Sequence, residues 1–328
     1  MNANPATRFA RQCTAALCAG MMLAVAAGVA SAEYPDHAIK GVVPFPPGGG
    51  TDVFARIIAD QLSQALGQPV VIENRAGADG NIGMESVARS APDGYTLLFN
   101  SSAATVNPAM YRNLRFDPVK DLRPVAVLCE YFNLIVINPE KIPAKNLREF
   151  VALLRTNPGK YNVAAGGTRL AVDYFLLQNK VDATVVPYKG AGDAITGLLR
   201  GDVDFMIVNA PGLTQHIASG KLRALAVTAP QRQADMPDVP TTPEAGMPDY
   251  LYSSFFGAYV RADTPLEIVK KLNTALNVIT ATPEVIAMFQ KQSAVAVQTS
   301  PEEASSRYQR DLARMKDIVL RARIPPAD

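Results

Sequence analysis

The chain has 328 residues, of which 48% are apolar and 19% are charged. This length fits one large or two medium domains, and this composition excludes a disordered chain. The formal charge is only +2, so the sequence lacks the basic excess that nucleic acid or an anionic lipid surface would attract.

Residues 1–32 are typical of a secretory signal peptide. Arg8 and Arg11 form a basic start, residues 14–29 are apolar, and small residues at 30–32 provide a cleavage site. The apolar run is shorter than the about 20 residues of a membrane-spanning helix. We therefore expect export to the periplasm with removal of residues 1–32. Without Arg8 and Arg11, the chain carries 30 basic and 30 acidic residues.

From residue 38 onward, short β-type runs alternate with helical patterns, which predicts an α/β fold with parallel sheets covered by helices. The predicted strands are 39–45, 70–73, 95–99, 122–129, 133–138, 162–165, 184–188, 203–208, 222–228 and 255–260. The predicted helices are 52–66, 82–90, 147–154, 170–178 and 191–200, followed by two more at the C-terminal end. Cys129 is the one cysteine beyond residue 32, and we expect it to be a buried small hydrophobe.

The two C-terminal helices begin with the same pattern. Thr264 and Ser300 are each followed by a proline and, three residues on, by Glu267 and Glu303. This pattern predicts a capping hydroxyl at each helix start. The last helix then has one apolar stripe, made of Ala304, Tyr308, Leu312, Met315, Val319 and Ala322.

Three junctions between a predicted strand and a predicted helix are rich in glycine: 46–52 (PPGGGTD), 165–169 (AGGTR) and 189–193 (KGAGD). In open α/β sheets, ligands bind beyond the carboxyl ends of the strands. Glycine allows the backbone to approach a ligand, and free amides at a helix start favour an anion. A small carboxylate would suit such a site. The alternative is that these glycines only turn the chain.

Motifs for other chemistry are missing. The sequence has no P-loop, and the spacing of Gly77, Gly80 and Gly83 does not fit a dinucleotide fingerprint. There is no G-x-S-x-G or H-E-x-x-H, and His37 and His216 have no motif partner. We expect no cofactor, no metal site and no catalytic residue, although pairs of carboxylates stay open because the chain has 30 acids.

Asp52 and Arg169 each allow two interpretations. Asp52 is either the N-cap of its helix or an anchor for the preceding loop, and capping is favoured because a carboxylate would repel an anionic ligand. Arg169 opens a predicted helix, where a cation opposes the helix dipole. Its position is explained if it faces an anionic ligand, but an ordinary exposed arginine fits equally well.

The sequence resembles the Bug family of periplasmic receptors of the tripartite tricarboxylate transporter type over nearly all of residues 33–328. The motifs that carry the resemblance are YP at 34–35, VVPFPPGGGTD at 42–52, LGQPVVIENR at 66–75, GNIG at 80–83, APDGYTLL at 91–98, NP at 107–108 and PYKG at 187–190.

The resemblance implies a two-domain, periplasmic-binding-protein-like α/β fold, a type II Venus flytrap in which each domain is a mostly parallel sheet flanked by helices. We expect the chain to cross between the domains near Asn133 and near Ser253. The domains would be 33–132 plus 253–328, and 133–252.

The resemblance also implies the ligand site. The loop 46–52 would hold one carboxylate through backbone amides, the region of Ser101 would line the cleft, and two loops of the second domain would hold the other end of the ligand. The expected ligand-binding residues are Pro47, Gly48, Gly49, Gly50, Thr51, Asp52, Ser101, Ser102, Gly167, Thr168, Arg169, Tyr188 and Gly190. Many members have a longer stretch, G-x-G-S-x-x-H-L, where this chain has GGTRL at 166–170. Arg169 is therefore a candidate clamp for a second carboxylate.

Together these observations predict a periplasmic solute receptor that closes on a small organic acid and presents it to transporter membrane subunits or to a sensor protein. We expect a monomer without a nucleic-acid partner. Two alternatives remain: an exported α/β hydrolase or isomerase acting on a small acid, and a structural envelope protein that responds to no small ligand.

Overall fold

The computed structural model describes residues 34–165, 168–188, 191–208, 213–321 and 323–324. The predicted signal peptide lies outside these residues. All sheets and helices belong to one unit, His37–Asp328. None of the helices in the described ranges is long and apolar enough to cross a membrane.

The described residues form two β-sheets. The strands are β1 (Ile39–Val43), β2 (Val70–Asn74), β3 (Thr96–Ser101), β4 (Leu122–Phe132), β5 (Leu134–Ile137), β6 (Asn162–Ala165), β7 (Thr184–Pro187), β8 (Phe205–Val208), β9 (Arg223–Val227), β10 (Ser253–Arg261) and β11 (Ala294–Ala296). The first sheet has the order β11-β4-β10-β3-β1-β2, and the second has the order β7-β6-β8-β5-β9. We call each sheet with its helices a lobe.

Ten helices surround the sheets in the described part of the chain: α1 (Gly50–Leu66), α2 (Asn81–Ala88), α3 (Ala103–Met110), α4 (Leu147–Thr156), α5 (Arg169–Asn179), α6 (Ala191–Arg200), α7 (Leu213–Ala218), α8 (Leu266–Thr280), α9 (Pro283–Gln290) and α10 (Pro301–Arg321). Seven of them agree with the predicted helices to within a few residues. Helices α3, α7 and α9 were not predicted, and α3 contains Pro108.

Both sheets are mixed, so the expectation of mostly parallel sheets is wrong. In the first sheet β1 is parallel to β2 and β3, but β10 is antiparallel to both β3 and β4. In the second sheet β6 is parallel to β7 and β8, but β5 is antiparallel to β8 and β9. The antiparallel pairing arises where the chain crosses between the sheets. The end of β4 leaves the first sheet beside the start of β10, so that Phe132 pairs with Ser253. The two strands therefore run in opposite directions.

In the described part of the chain, two segments cross between the sheets, and Thr228 hydrogen-bonds to both of them. Asn133 separates β4 from β5, and its backbone N–H donates to Thr228 Oγ1 at 2.9 Å. The same hydroxyl donates to the carbonyl of Tyr252, just before β10, at 2.5 Å. Asn133 and Thr228 are 2% and 1% exposed, so these hydrogen bonds are shielded from water and hold the two crossing segments side by side.

The two predicted capping patterns have different outcomes. Ser300 caps α10 as predicted, since Glu303 N–H donates to Ser300 Oγ at 3.1 Å and Ser300 N–H donates to Glu303 Oε2 at 2.8 Å. The predicted cap at Thr264 is wrong. The residue at the N-cap of α8 is Pro265, and Thr264 Oγ1 is buried with no partner in the described part of the chain. A turn to Arg261 holds Thr264 one residue before the N-cap position.

Cys129 is buried in β4 and free, as predicted. Burial raises the pKa of its thiol, although a hydrogen bond from Phe256 acts in the opposite direction. The thiol is therefore neutral at physiological pH and behaves as a hydrophobic side chain.

Candidate functional site

The topology brings the predicted site loops of both lobes to the edges where the chain crosses. β3 ends at Ser101, which pairs with Phe256 near the start of β10, so the carboxyl ends of the parallel strands β1, β2 and β3 lie at the crossing edge. In the second sheet Val208, at the end of β8, pairs with Leu134, the first residue after the crossing. The parallel strands β6 and β7 therefore also end at that edge. Loops at such strand ends are where α/β sheets bind ligands.

The loop after β1 presents backbone amides rather than side chains. Residues 47–50 are exposed, and α1 starts at Gly50 with Gly49 as its N-cap, without a side-chain hydrogen bond to the cap. Val53 N–H donates to Gly49 O at 3.0 Å, so the amides before Val53 begin the helix without an intrahelical acceptor. Such amides, together with the helix dipole, form a site for an anion.

Asp52 does not cap this helix, which corrects the favoured prediction. It lies in the first turn of α1 and is 2% exposed. Its Oδ2 accepts from Gly48 N–H and from Arg56 Nε, both at 2.9 Å, and its Oδ1 accepts from Asn74 Nδ2 at 2.8 Å. Asp52 therefore anchors the loop that precedes it, which is the second of the two interpretations that the sequence allowed.

The hydrogen bonds to Asp52 decide its charge. Burial raises its pKa, but the hydrogen bonds from Arg56, Gly48 N–H and Asn74 outweigh burial and lower the pKa to about 2. The carboxylate is therefore ionised at any physiological pH. Three donors of the first lobe already hydrogen-bond to this carboxylate, so its negative charge is not directed at a ligand.

Asn74 and Arg56 complete the anchor, and the sequence did not single them out. Asn74 Nδ2 also donates to Phe45 O at 3.0 Å, and Arg56 Nη2 donates to Asn74 Oδ1 at 3.1 Å. The loop is thus held at Phe45, near its start, and at Gly48, in its middle. The available signals were the four-residue spacing of Asp52 and Arg56 and the position of Asn74 at the end of a strand.

A second loop with unusual backbone geometry packs beside the first. Gly77, Ala78, Asp79 and Gly80 all have positive φ angles, of 136°, 47°, 51° and 95°. Ala78 and Asp79 are the noteworthy cases, because residues with a Cβ rarely occupy this region. A Cβ added at Gly80 would lie 3.2 Å from Pro44 Cβ, so glycine is needed where this loop meets the end of β1.

Two side chains of the α3 region hold this strained loop. Asn107 Nδ2 donates to Asp79 O at 2.8 Å and to Asn81 Oδ1 at 2.9 Å. Tyr111 Oη donates to Asp79 Oδ2 at 2.6 Å. This hydrogen bond to Asp79, followed by burial, raises the pKa of Tyr111 to about 12. Strain of this kind persists only where the surroundings enforce it, and it concentrates at functional sites.

Ser101 and Ser102 lie at the crossing edge, but both already have partners. Ser102 Oγ accepts from Phe255 N–H at 2.9 Å and so ties the start of α3 to β10. The Ser101 side chain hydrogen-bonds to Tyr131, and burial raises the pKa of that tyrosine. Both serine side chains are therefore already hydrogen-bonded within the first lobe.

In the second lobe, Thr168 and Arg169 begin α5 at the end of β6. Thr168 is the N-cap residue but makes no side-chain cap, and its Oγ1 is buried with no hydrogen-bond partner among the described residues. Arg169 Nε donates to Asp173 Oδ2 at 2.7 Å, one turn along the helix. The Arg169 side chain is 55% exposed and that of Asp173 is 9% exposed, so the pair joins an accessible guanidinium to a buried carboxylate.

The remaining predicted site residues are less informative. Tyr188 follows β7, and its N–H donates to Ala165 O at 3.1 Å. Its hydroxyl lies against Gly197 of α6, where an added Cβ would come within 2.3 Å of Oη. The side chain of Tyr188 thus packs within the second lobe. Gly167 and Gly190 lie outside the described residues.

Of the two described histidines, His37 lies away from these groups. The ring of His37 stacks on Tyr95 at a centroid distance of 3.6 Å, beside the starts of β1 and β3 and thus at the opposite edge of the sheet. His216 lies in the last turn of α7. The described loops at the crossing edges therefore offer backbone amides, hydroxyls and the accessible Arg169 guanidinium, a combination that suits binding of an anion.

Comparison with known proteins gives consistent matches over most of the chain. Residues 54–323 match the family described as "Tripartite tricarboxylate transporter family receptor". Protein BugT of Bordetella pertussis is 36% identical over 301 residues, which cover 90% of this chain and 92% of BugT. An adipate-bound protein from R. palustris matches with a TM-score of 0.78 at 30% identity, and the match covers 90% of this chain and 100% of the adipate-bound chain. MatC from Rhodopseudomonas palustris, with bound malate, matches with a TM-score of 0.74 at 32% identity, and the match covers 87% of this chain and 100% of the MatC chain.

Proposed function

This chain belongs to the tripartite tricarboxylate transporter receptor family, and we propose that it binds a small carboxylate-bearing solute between its two lobes and releases it unchanged. The family consists of periplasmic solute receptors and not of enzymes. The single observation that carries the proposal is the placement of two helix starts without side-chain caps, α1 and α5, at the crossing edges of the two sheets.

The proposed division of the site follows from the contacts. In the first lobe, the amides of residues 49–51 hold one carboxylate, Pro47 and Gly48 shape the loop, and Asp52 anchors that loop through Gly48 N–H. Ser101 and Ser102 form the floor beside them. This arrangement is supported by the anchoring of Asp52 to Gly48 N–H and by the exposure of residues 47–50.

In the second lobe, the proposed ligand groups are Thr168, Arg169, Tyr188, Gly167 and Gly190. Thr168 Oγ1 is a buried hydroxyl without a partner in the described part of the chain, and a ligand oxygen would satisfy it. Arg169 Nε already donates a hydrogen bond to Asp173. Its Nη groups then meet the second carboxylate of a dicarboxylate, as charge-assisted hydrogen bonds. The adipate and malate in two similar structures are both dicarboxylates.

The mechanism is closure of the two lobes. A ligand that contacts both lobes only in the closed form shifts the population toward that form. For this purpose we propose lobes formed by 33–132 plus 253–328 and by 133–252, with the crossings at Asn133 and Ser253. The closed form is then presented to transporter membrane subunits or to a sensor protein. We further propose that the protein is a monomer and that residues 1–32 direct export and are removed before Glu33.

The test is a thermal shift of the protein lacking residues 1–32 against adipate, malate, citrate, benzoate and glutamate. Binding to the folded state alone stabilises it by about 2.7 kcal/mol at a hundredfold excess over Kd. A shift with one acid, and recovery of that acid unchanged, is the expected result. Consumption of the acid would refute the receptor and favour the enzyme alternative. No shift, with no small acid released on denaturation, would refute carboxylate binding.

A further inference from the structure

The buried stripe of the last helix, α10, changes from one hydrophobic core to the other halfway along its length. In its first half, Ala304, Tyr308 and Leu312 pack in the core of the first lobe. In its second half, Met315, Ile318 and Val319 belong to the core of the second lobe, together with Phe150, Phe175 and Ile207. At 21 residues the helix is about 31 Å long, enough to extend over two lobes.

The burial of the second half is as complete as that of the first. Met315 is 3% exposed and Ile318 is 1% exposed, while Tyr308 and Leu312 are 5% and 6% exposed. A helix that only touched the second lobe at its surface would leave these side chains partly open to solvent. The helix is therefore an integral part of both cores.

Two arginines fasten α10 to the crossing segments. Arg307 forms an ion pair with Glu130 near the end of β4, and its Nη2 donates to Ser253 Oγ at 3.1 Å. Arg314 Nη1 donates to Leu251 O at 3.2 Å, and its guanidinium lies 5.6 Å from the ring centroid of Tyr252. The helix thus runs alongside both strands that connect the lobes.

The same helix contacts the helices that carry candidate ligand residues in each lobe. Tyr308 Oη donates to Ala104 O at 3.0 Å, in the first turn of α3, and α3 begins directly after Ser102. The second half of α10 packs against α5, which begins with Thr168 and Arg169. Any change in the position of α5 relative to α3 must therefore be accommodated by α10.

We propose that α10 is a third connection between the lobes, that its segment from Met315 onward moves with the second lobe, and that the packing of Met315 and Ile318 sets the resting separation of the lobes. These two side chains are positioning residues, because they act on the ligand through α5. The functional meaning of this proposal rests on the proposed receptor function, but the structural claim does not. It assigns residues 315–324 to the second lobe instead of the first.

The experiment measures the distance between the lobes without any ligand. Spin labels are attached at Asp60→Cys on α1 and Ala152→Cys on α4, two exposed positions in different lobes, while Cys129 is buried and does not react. Distances are compared for the parent, Ile318→Ala, the milder Ile318→Val and the matched control Leu312→Ala. The control removes a comparable side chain from the same helix, within the core of the first lobe.

We expect Ile318→Ala to shift or broaden the distance distribution by about 1–2 Å, the scale of helix displacements at packed interfaces. Ile318→Val keeps the fold and should give a smaller change in the same direction, whereas Leu312→Ala should match the parent. Equal distributions in all variants, or equal shifts for Ile318→Ala and Leu312→Ala, would overturn the proposal.

A second measurement separates this inference from the receptor function. Adipate and malate are titrated into the same labelled proteins. If the parent responds to neither acid but Ile318→Ala still shifts the resting distance, the proposed ligand class fails and the role of α10 stands. If the parent closes on either acid and Ile318→Ala changes the Kd by less than twofold at an unchanged resting distance, the role of α10 fails and the receptor function stands.

Discussion

Replacing Asp52 by asparagine tests the anchor of the first-lobe loop. The substitution keeps the shape of the side chain but removes its charge. In the parent, Gly48 N–H, Arg56 and Asn74 donate to the carboxylate oxygens, and in the variant an amide NH₂ group replaces one of these oxygens. The folded-state pKa of Asp52 is lowered from 3.8 to about 2. Since one pKa unit corresponds to about 1.4 kcal/mol, the ionised form stabilises the fold by roughly 2 kcal/mol at neutral pH.

The sign of the pH dependence follows from the lowered pKa. The stabilisation is fully present above pH 3.8, the ordinary pKa of the group, and is lost as the pH falls toward 2. Urea unfolding followed by circular dichroism should therefore show Asp52→Asn less stable by roughly 2 kcal/mol at pH 7. The difference from the parent should shrink between pH 4 and pH 2.

The matched control is Asp60→Asn, an exposed position two turns further along α1. It should change the free energy of unfolding by less than about 0.5 kcal/mol, as is usual for surface substitutions. A pH-independent loss in Asp52→Asn, or an equal loss in the control, would refute the argument. Asp52→Asn should also weaken binding of every carboxylate tested, because the loop that carries the amides of residues 49–51 loses its anchor at Gly48 N–H.

Three further predictions concern the second lobe, the crossings and the strained loop. Arg169→Ala should weaken binding of adipate or malate by roughly 10- to 100-fold, the value of a charge-assisted hydrogen bond, and change benzoate binding little; isothermal titration checks this. Thr228→Val removes the acceptor for Asn133 N–H and should lower the free energy of unfolding by about 1–3 kcal/mol in urea titrations. Tyr111→Phe releases Asp79 and should raise hydrogen exchange at residues 77–80, with secondary structure unchanged by circular dichroism.

The local patterns in the sequence predict where strands and helices lie, but not how the strands pair. Strand 162–165 and helix 191–200 were predicted with the observed bounds, because each is a short segment with a clear periodicity and clear ends. The antiparallel pairing of β4 and β10 was missed, because it joins segments more than 100 residues apart. No local pattern encodes the direction in which a returning strand enters a sheet.

The two capping patterns show the same limit at the scale of single side chains. Thr264 and Ser300 are followed by equivalent residues, yet only Ser300 caps its helix. The difference is tertiary: Thr264 is 2% exposed and its carbonyl accepts from Arg123 Nη1 at 2.8 Å, across 141 residues of sequence. The propensity of a hydroxyl to cap is outweighed by the packing of the turn that contains it.

The same reasoning explains why the sequence identifies the family but not the ligand. Around the first-lobe loop, the side chains of Asp52, Asn74 and Ser102 are used to hold backbone. In the proposed site, the groups left to meet a ligand there are backbone amides, which every residue type except proline supplies and which recognise a carboxylate without recognising the rest of the molecule. If the proposed function holds, discrimination between acids comes from the side chains at the start of α5, where Thr168 has a hydroxyl without a partner in the described part of the chain and Arg169 is accessible. Substitutions in the loop 48–52 should therefore weaken all carboxylates together, while exchanges at Thr168 and Arg169 should change which acid binds and leave the fold intact.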